Sequence, residues 1–158
     1  MKVCEVMTES PACCSADTNL GAAAEIMWNN NCGFLPILDS EQKVVGVLTD
    51  RDMCIAMATR NRLPGEITAQ QVSSGATYSC KLEDDISTAL ETMNEKRIRR
   101  LPVLDATGEL AGVLSVDDLV LHADSDAGSS LSSEVVVHSL KKLYSSQLGK
   151  TQSKAASA

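Results

Sequence analysis

Aromatic residues are scarce in this chain. Trp28, Phe34, Tyr78 and Tyr144 are the whole complement, 3% of 158 residues. Four scattered rings make no stacking platform for single-stranded nucleic acid. Cations are in deficit as well, 14 against 21 acidic residues, for a formal charge of −7. That excludes a non-specific binder of nucleic-acid polymers, which needs many cations to displace counterions. No apolar run approaches the roughly 20 residues that span a bilayer. Lys2, Glu5, Glu9 and Pro11 interrupt any signal-peptide core at the start. A soluble, cytoplasmic protein with no membrane span is expected. Cys-x-x-Cys pairs are missing, although six cysteines are present: Cys4, Cys13, Cys14, Cys32, Cys54 and Cys80. His122 and His138 lie far from any cysteine cluster. Neither a metal site nor a disulfide scaffold is therefore expected, and thiols in a chain lacking an export signal stay reduced.

What the chain has is aliphatic. Hydrophobic residues make up 44%, enough for one compact domain or two very small ones sharing a core. A core of Val, Leu, Ile, Met and Ala suits helices packed on a small sheet. Displacing the sequence by 66 residues matches Val6–Ala58 to Val72–Asp124 without a gap, with 13 identities in 53 positions. The identities include Cys14/Cys80, Met27/Met93, Leu35/Leu101, Pro36/Pro102, Asp39/Asp105, Gly46/Gly112 and Asp52/Asp118. Two copies are too few for a solenoid. They point to two half-domains about a pseudo-twofold axis, with a cleft where they meet.

Each copy repeats one order of elements. Asp17-Thr18 and Asp84-Asp85 are candidate caps for a helix with apolar positions Leu20, Ala23, Ala24 and Met27, or Ile86, Ala89, Leu90 and Met93. Phe34–Leu38 and Val44–Leu48, or Leu101–Leu104 and Leu110–Leu114, flank short polar turns and read as hairpins. A second helix starts at Thr49-Asp50 or Ser115-Val116. The fold class is α+β: two helix–hairpin–helix repeats plus a C-terminal helix. The expected division is repeat 1 over 1–60, a linker over 61–71 and repeat 2 over 72–123. A flexible tether over 124–133, an amphipathic helix over 134–148 and a disordered tail over 149–158 follow. Ser132 or Ser133 is the candidate cap of that helix, whose apolar positions are Val136, Val137, Leu140, Leu143, Tyr144 and Leu148. From residue 134 onward the chain carries four lysines and one glutamate, so this segment is basic beside an acidic body. Docking on its own module or on a second subunit is expected.

The strings Leu35-Pro36-Ile37-Leu38-Asp39 with Gly46-Val47-Leu48-Thr49-Asp50-Arg51-Asp52, and Leu101-Pro102-Val103-Leu104-Asp105 with Gly112-Val113-Leu114-Ser115-Val116-Asp117-Asp118, are each preceded by a start motif, Val6-Met7-Thr8 or Val72-Ser73-Ser74. With these the chain resembles a stand-alone tandem CBS-domain protein, a Bateman module, over residues 1 to 123. The resemblance implies an adenosine-containing ligand (AMP, ADP, ATP, NAD or S-adenosylmethionine) in the cleft between repeats, a homodimer and a regulated partner protein. It implies no required cofactor. On that basis Asp52 and Asp118 are ribose candidates, a carboxylate accepting from the 2′- and 3′-hydroxyls. Thr49 and Ser115 are phosphate-side candidates. The plainer reading is that each hydroxyl only caps its helix while the carboxylate favours the dipole.

Arg99 and Arg100 match the family's basic position before the hydrophobic-Pro string, where guanidinium suits phosphate; alternatively, Lys96, Arg97 and their neighbours simply favour a helix end. The first copy departs here, with Gly33 and Phe34, and Phe34 either packs on adenine or fills the core. Cys32 and Cys54 align with Ile98 and Val120 and are expected in the core, and Cys14 with Cys80 marks a repeated packing position. Glu25 and Glu91 are expected to be solvated. No catalytic constellation stands out, so no enzyme is expected. The alternative to a ligand sensor is a ligand-free dimerisation and scaffolding module acting through its C-terminal helix.

Overall fold

The computed structural model describes residues 1–73, 77–124 and 131–155, with 146–155 described by their backbone alone. The strands are β1 (Thr8–Glu9), β2 (Cys14–Ser15), β3 (Phe34–Leu38), β4 (Val44–Thr49), β5 (Cys80–Lys81), β6 (Arg100–Leu104) and β7 (Leu110–Ser115). The helices are α1 (Leu20–Asn29), α2 (Asp50–Arg60), α3 (Ala69–Val72), α4 (Ile86–Lys96), α5 (Val116–Leu121) and α6 (Ser133–Ala155). They form a four-stranded sheet, β1-β7-β6-β5, and a three-stranded sheet, β2-β3-β4. The mixed α+β architecture with a duplicated helix–hairpin–helix order is what the repeat implies.

The chain divides into two compact units, and their boundaries differ from those expected. One unit is Met1–Thr8 with Cys80–Val103 and Val113–Ala158; the other is Glu9–Ser79 with Leu104–Gly112. The first eight residues thus pack with the second repeat. Val3 and Val6 are buried among Ile86, Met93, Leu101 and Leu114. Conversely, the segment expected as a linker over 61–71 belongs to the core of the first repeat. Ile67 and Ala69 are fully buried there, beside Leu20, Leu35 and Leu48.

Backbone hydrogen bonds show that this is one device used twice. Val3 N donates to Asp84 O at 3.0 Å, Cys4 N to Leu82 O at 3.1 Å and Ile86 N to Met1 O at 3.2 Å. Shifted by 66 residues, the same set reads Ala69 N to Thr18 O at 2.7 Å, Gln70 N to Ala16 O at 3.1 Å and Leu20 N to Ile67 O at 2.9 Å. Each repeat's leading segment therefore closes the core of the other repeat. Buried backbone groups must find partners, and these six bonds pair what would otherwise be open helix starts.

Within the first repeat, α1 is capped not by Asp17-Thr18 but by Asn19, whose side chain accepts from Ala22 N at 2.9 Å. Thr18 instead turns its hydroxyl to Ser15 N at 3.1 Å. Asp85 holds the matching place before α4, without a side-chain cap bond. Strand β3 is buried along its whole length and pairs antiparallel with β4, Phe34 opposite Thr49 and Pro36 opposite Val47. The turn between them is organised by Asp39, whose Oδ1 accepts from Glu41 N and Lys43 N, both at 2.9 Å. In the second repeat Asp105 Oδ1 accepts from Thr107 N at 2.8 Å, Thr107 Oγ1 at 2.7 Å and Glu109 N at 2.9 Å. Gly108 there adopts φ +82°, a conformation glycine reaches without a Cβ clash.

Helix α6 lies on α4 and α5 of its own unit. Leu131, Val136 and Leu143 enter the core, with Leu140 packed against it. Ser132 is its cap, with Oγ accepting from Val135 N at 3.4 Å. Val137 and Tyr144, expected on the apolar stripe, are 49% and 43% exposed. The sequence pattern ends this helix at 148, but the backbone is helical through Ala155, while 156–158 lie outside the described residues. Of the expected tether, 125–130 also lie outside them. Its two ends are joined: Asp124 N donates to Leu131 O and Ser133 N to Asp124 O, both at 2.9 Å.

Among the described residues no helix is long and apolar enough to cross a membrane.

Candidate functional site

The two candidate sites grow from one local rule. Where β4 runs into α2, Thr49 keeps extended backbone angles and becomes the N-cap; Ser115 does the same between β7 and α5. A capping hydroxyl followed three residues later by a carboxylate closes a reciprocal pair of bonds, the capping box. Thr49 Oγ1 accepts from Asp52 N at 3.2 Å, and Asp52 Oδ2 accepts from Thr49 Oγ1 at 2.6 Å and Thr49 N at 3.3 Å. In the second repeat Ser115 Oγ accepts from Asp118 N at 3.1 Å. Asp118 Oδ2 accepts from Ser115 Oγ at 2.6 Å and Ser115 N at 2.7 Å. All four side chains are half-buried.

The plainer reading of these residues is therefore present in full, and it constrains the other one. Each hydroxyl proton points at its own carboxylate, so Thr49 or Ser115 donates to a phosphate only by turning away from Asp52 or Asp118. The carboxylates retain capacity, since two oxygens offer about four acceptor positions. On Asp118 one of these is taken by a residue the motif spacing did not assign. Thr8 Oγ1 donates to Asp118 Oδ1 at 3.0 Å. Thr8 closes the start motif of the first repeat, so the leading-segment exchange is what delivers it to the second repeat's carboxylate. Its counterpart, Ser74, lies outside the described residues.

The cationic candidates are placed unequally. Arg100 opens β6 and its guanidinium stands 3.8 Å from Asp117 Oδ2, beside Asp118 in sequence. Asp117 is 80% exposed, and a surface pair of that kind holds weakly, about 0–1 kcal/mol. Arg99 is exposed, and its carbonyl accepts from Val116 N at 3.0 Å. Gly33 O accepts from Asp50 N at 3.3 Å in the same way. Lys96 lies in the last turn of α4 and Arg97 follows at φ +58° as its C-cap. Phe34 is only 9% exposed, paired with Thr49 across the hairpin.

The cysteines separate by position. Cys14 and Cys80 are both 6% exposed, and burial pushes their thiols up to about 11 and about 12. Cys32 is half-buried against the first core. Cys54, expected in the core, is exposed. On α2 the inward positions are Met53 and Ala56, and a step of one residue turns a side chain about 100° away. Its counterpart Val120 is 49% exposed for the same reason. Glu25 and Glu91 are exposed. His122 ends α5 with Nδ1 2.9 Å from Asp118 O, and His138 is exposed on α6. Among the described residues no three His, Cys, Asp or Glu side chains gather closely enough to hold a metal ion.

The duplicated fold and its paired capping boxes define a class, and comparison with known proteins gives the same one. The chain belongs to the CBS domain family, whose pattern matches at residues 3–59 and 71–124. The CBS domain-containing protein YhcV of Bacillus subtilis is 31% identical over 130 residues, covering 80% of this chain and 90% of that one. Hypoxic response protein 1 of Mycobacterium tuberculosis is 29% identical over 118 residues, 75% of this chain and 82% of that one. A crystal structure of hypoxic response protein I with two coordinated zinc ions superposes with a TM-score of 0.72 at 27% identity, covering 78% of this chain and all of that one. The CBS domain protein PAE2072 from Pyrobaculum aerophilum, complexed with AMP, gives 0.69 at 25% identity, over 75% of this chain and 90% of that one. The chain spans about half the length of one other curated relative it matches.

Proposed function

We propose that this chain is a regulatory module that binds an adenosine-containing ligand at the starts of α2 and α5. Asp52 and Asp118 accept from the ribose hydroxyls, and Thr49 and Ser115 face the phosphates. The observation that carries the reading is the same three-bond capping box at both helix starts. It holds each carboxylate in one rotamer before any ligand arrives, which lowers the ordering cost of binding. The AMP complex of PAE2072 supports the ligand class.

The two sites are unequal. Arg100 reaches a phosphate by giving up its weak pair with exposed Asp117, whereas the first repeat offers Gly33 and Phe34 at those positions. Buried Phe34 contributes an apolar wall. Binding signals to a partner protein, or across a homodimer, only to the extent that the ligand favours one conformation of the module over another. A thermal-shift panel of AMP, ADP, ATP, NAD and S-adenosylmethionine tests the ligand class. A ligand present at a hundredfold excess over its Kd adds about 2.7 kcal/mol, a shift well above scatter. No shift with any of the five contradicts the proposal.

A second reading has its own observation. Val137 and Tyr144 are exposed on α6, which supports a ligand-free scaffold that works through this helix. Under that reading Val137→Lys with Tyr144→Lys lowers the mass of the assembly in sedimentation. An unchanged mass removes the support.

A further inference from the structure

Asp118 is held at both of its oxygens, by donors from two distant parts of the chain. Oδ2 accepts from Ser115 Oγ at 2.6 Å and Ser115 N at 2.7 Å, and Oδ1 accepts from Thr8 Oγ1 at 3.0 Å. The capping box accounts for the first two bonds and needs nothing from Thr8. Thr8 is exposed in β1, which pairs with β7 at the edge of the four-stranded sheet. Buried Val3 and Val6 fasten the segment before it to the second repeat's core, and Thr8 and Asp118 belong to one compact unit. Packing therefore fixes the strand that delivers the hydroxyl. A strand position accepts Val or Ile as readily as Thr, so the fold itself does not call for an oxygen there.

A carboxylate offers about four acceptor positions, and the Ser115 hydroxyl, the Ser115 amide and the Thr8 hydroxyl fill all but one. While Ser115 Oγ stays on Oδ2, the open position is on Oδ1. That takes one ribose hydroxyl and not both. When the Ser115 hydroxyl turns to a phosphate, a second position opens on Oδ2, and the 2′- and 3′-hydroxyls have one oxygen each. The donors that remain, Ser115 N and Thr8 Oγ1, also stand one on each oxygen, and together they fix the plane of the carboxylate. Without Thr8 a single bond would hold it, and the ligand would have to supply the ordering.

We propose that Thr8 is a positioning residue of the second-repeat site, holding Asp118 for the ribose while Ser115 serves the phosphate. The site then selects a nucleoside phosphate over the free nucleoside. The inference rests on the nucleotide reading above and adds to it a residue 110 positions away from the motif it serves.

AMP and adenosine, titrated calorimetrically, are the probes. The host is Asp52→Asn, in which Asp118 is the remaining ribose carboxylate, with and without Thr8→Val, which keeps the branched shape and loses the donor. Thr8→Val is expected to weaken AMP about three- to tenfold, the effect of one lost hydrogen bond. Adenosine is expected to lose nothing, because Ser115 stays on Oδ2 and the position vacated on Oδ1 admits the second hydroxyl. Thr8→Ser restores AMP binding, and thermal unfolding by circular dichroism checks that each variant is folded. Equal AMP affinity with and without the Thr8 hydroxyl overturns the proposal. A parallel loss for AMP and adenosine also overturns it, marking a disturbed strand rather than a released carboxylate. If AMP binds the intact chain but not Asp52→Asn, the inference fails while the nucleotide reading stands at the first repeat. If AMP binds neither, the inference fails together with the AMP arm of that reading.

Discussion

Ile67→Ala is expected to unfold the first repeat far more readily than its place between the repeats suggests. Ile67 has no exposed surface and lies among Leu20, Leu35 and Leu48. Its backbone carbonyl also accepts from Leu20 N, at the start of α1. Truncation removes three carbons, about 2.4 kcal/mol of transfer free energy at roughly 0.8 per carbon. The cavity left behind brings the total to about 2–5 kcal/mol. In a chain of this size that corresponds to a fall of roughly 5–15 °C in the unfolding midpoint. Leu63→Ala, four residues earlier and 69% exposed, is expected to stay within about 0.5 kcal/mol. Urea and thermal unfolding followed by far-UV circular dichroism measure both. If Ile67→Ala behaves like Leu63→Ala, the segment is a passive connector and does not complete the core of the first repeat.

Loss of either cap hydroxyl, by Thr49→Ala or Ser115→Ala, is expected to cost about 1 kcal/mol; Thr49→Ser should retain most of it, and an unchanged urea midpoint in both alanine variants would refute the capping boxes. Toward a disulfide reagent at pH 8, exposed Cys54 should react first. Cys14 and Cys80, with thiols raised to about 11 and about 12, should react last; early modification of either would contradict their burial. The Thr107 hydroxyl, together with backbone bonds from Glu109 and Thr107, holds the Asp105 carboxyl below its ordinary 3.8. The turn's contribution to stability is therefore present above that ordinary value and is lost as pH falls through the lowered one. The Thr107 amide shift, followed by NMR, should titrate with a midpoint below 3.8; a midpoint at or above it would remove the hydrogen-bonded turn.

Much of this structure is legible in the sequence because duplication states each local rule twice. Thr49 with Asp52 and Ser115 with Asp118 are caps by residue type and spacing alone, and the hairpins follow from apolar runs around Asp39 and Asp105. The exchange of leading segments is harder to read. Pro64-Gly65 and the polar residues around it mark a linker, while three short apolar residues, Ile67, Ala69 and Val72, carry the packing. The repeat itself carries the signal: extended back five residues, it places Ile67 on Met1 and Ala69 on Val3. Thr8 belongs to the start motif, but its bond to Asp118 depends on that exchange and on a contact 110 residues away in sequence. Cys54 is exposed although it aligns with an apolar residue, because alignment with Val120 shows a shared environment, not a buried one. The cap of α1 fell on Asn19 rather than Asp17-Thr18 because Thr18 is drawn into the preceding turn.

Calorimetric titration of AMP, ATP, NAD and S-adenosylmethionine into the intact chain, into Asp52→Asn and into Asp118→Asn decides whether the capped helix starts are ligand sites. Asparagine keeps an oxygen for the cap but loses the charge and half of the acceptor capacity, so the fold should persist, as circular dichroism checks. Saturable heat with at least one ligand, weakened by about tenfold or more in one or both variants, is the result expected for a ribose held by a carboxylate. No heat with any of the four, or binding that neither substitution alters, would contradict it.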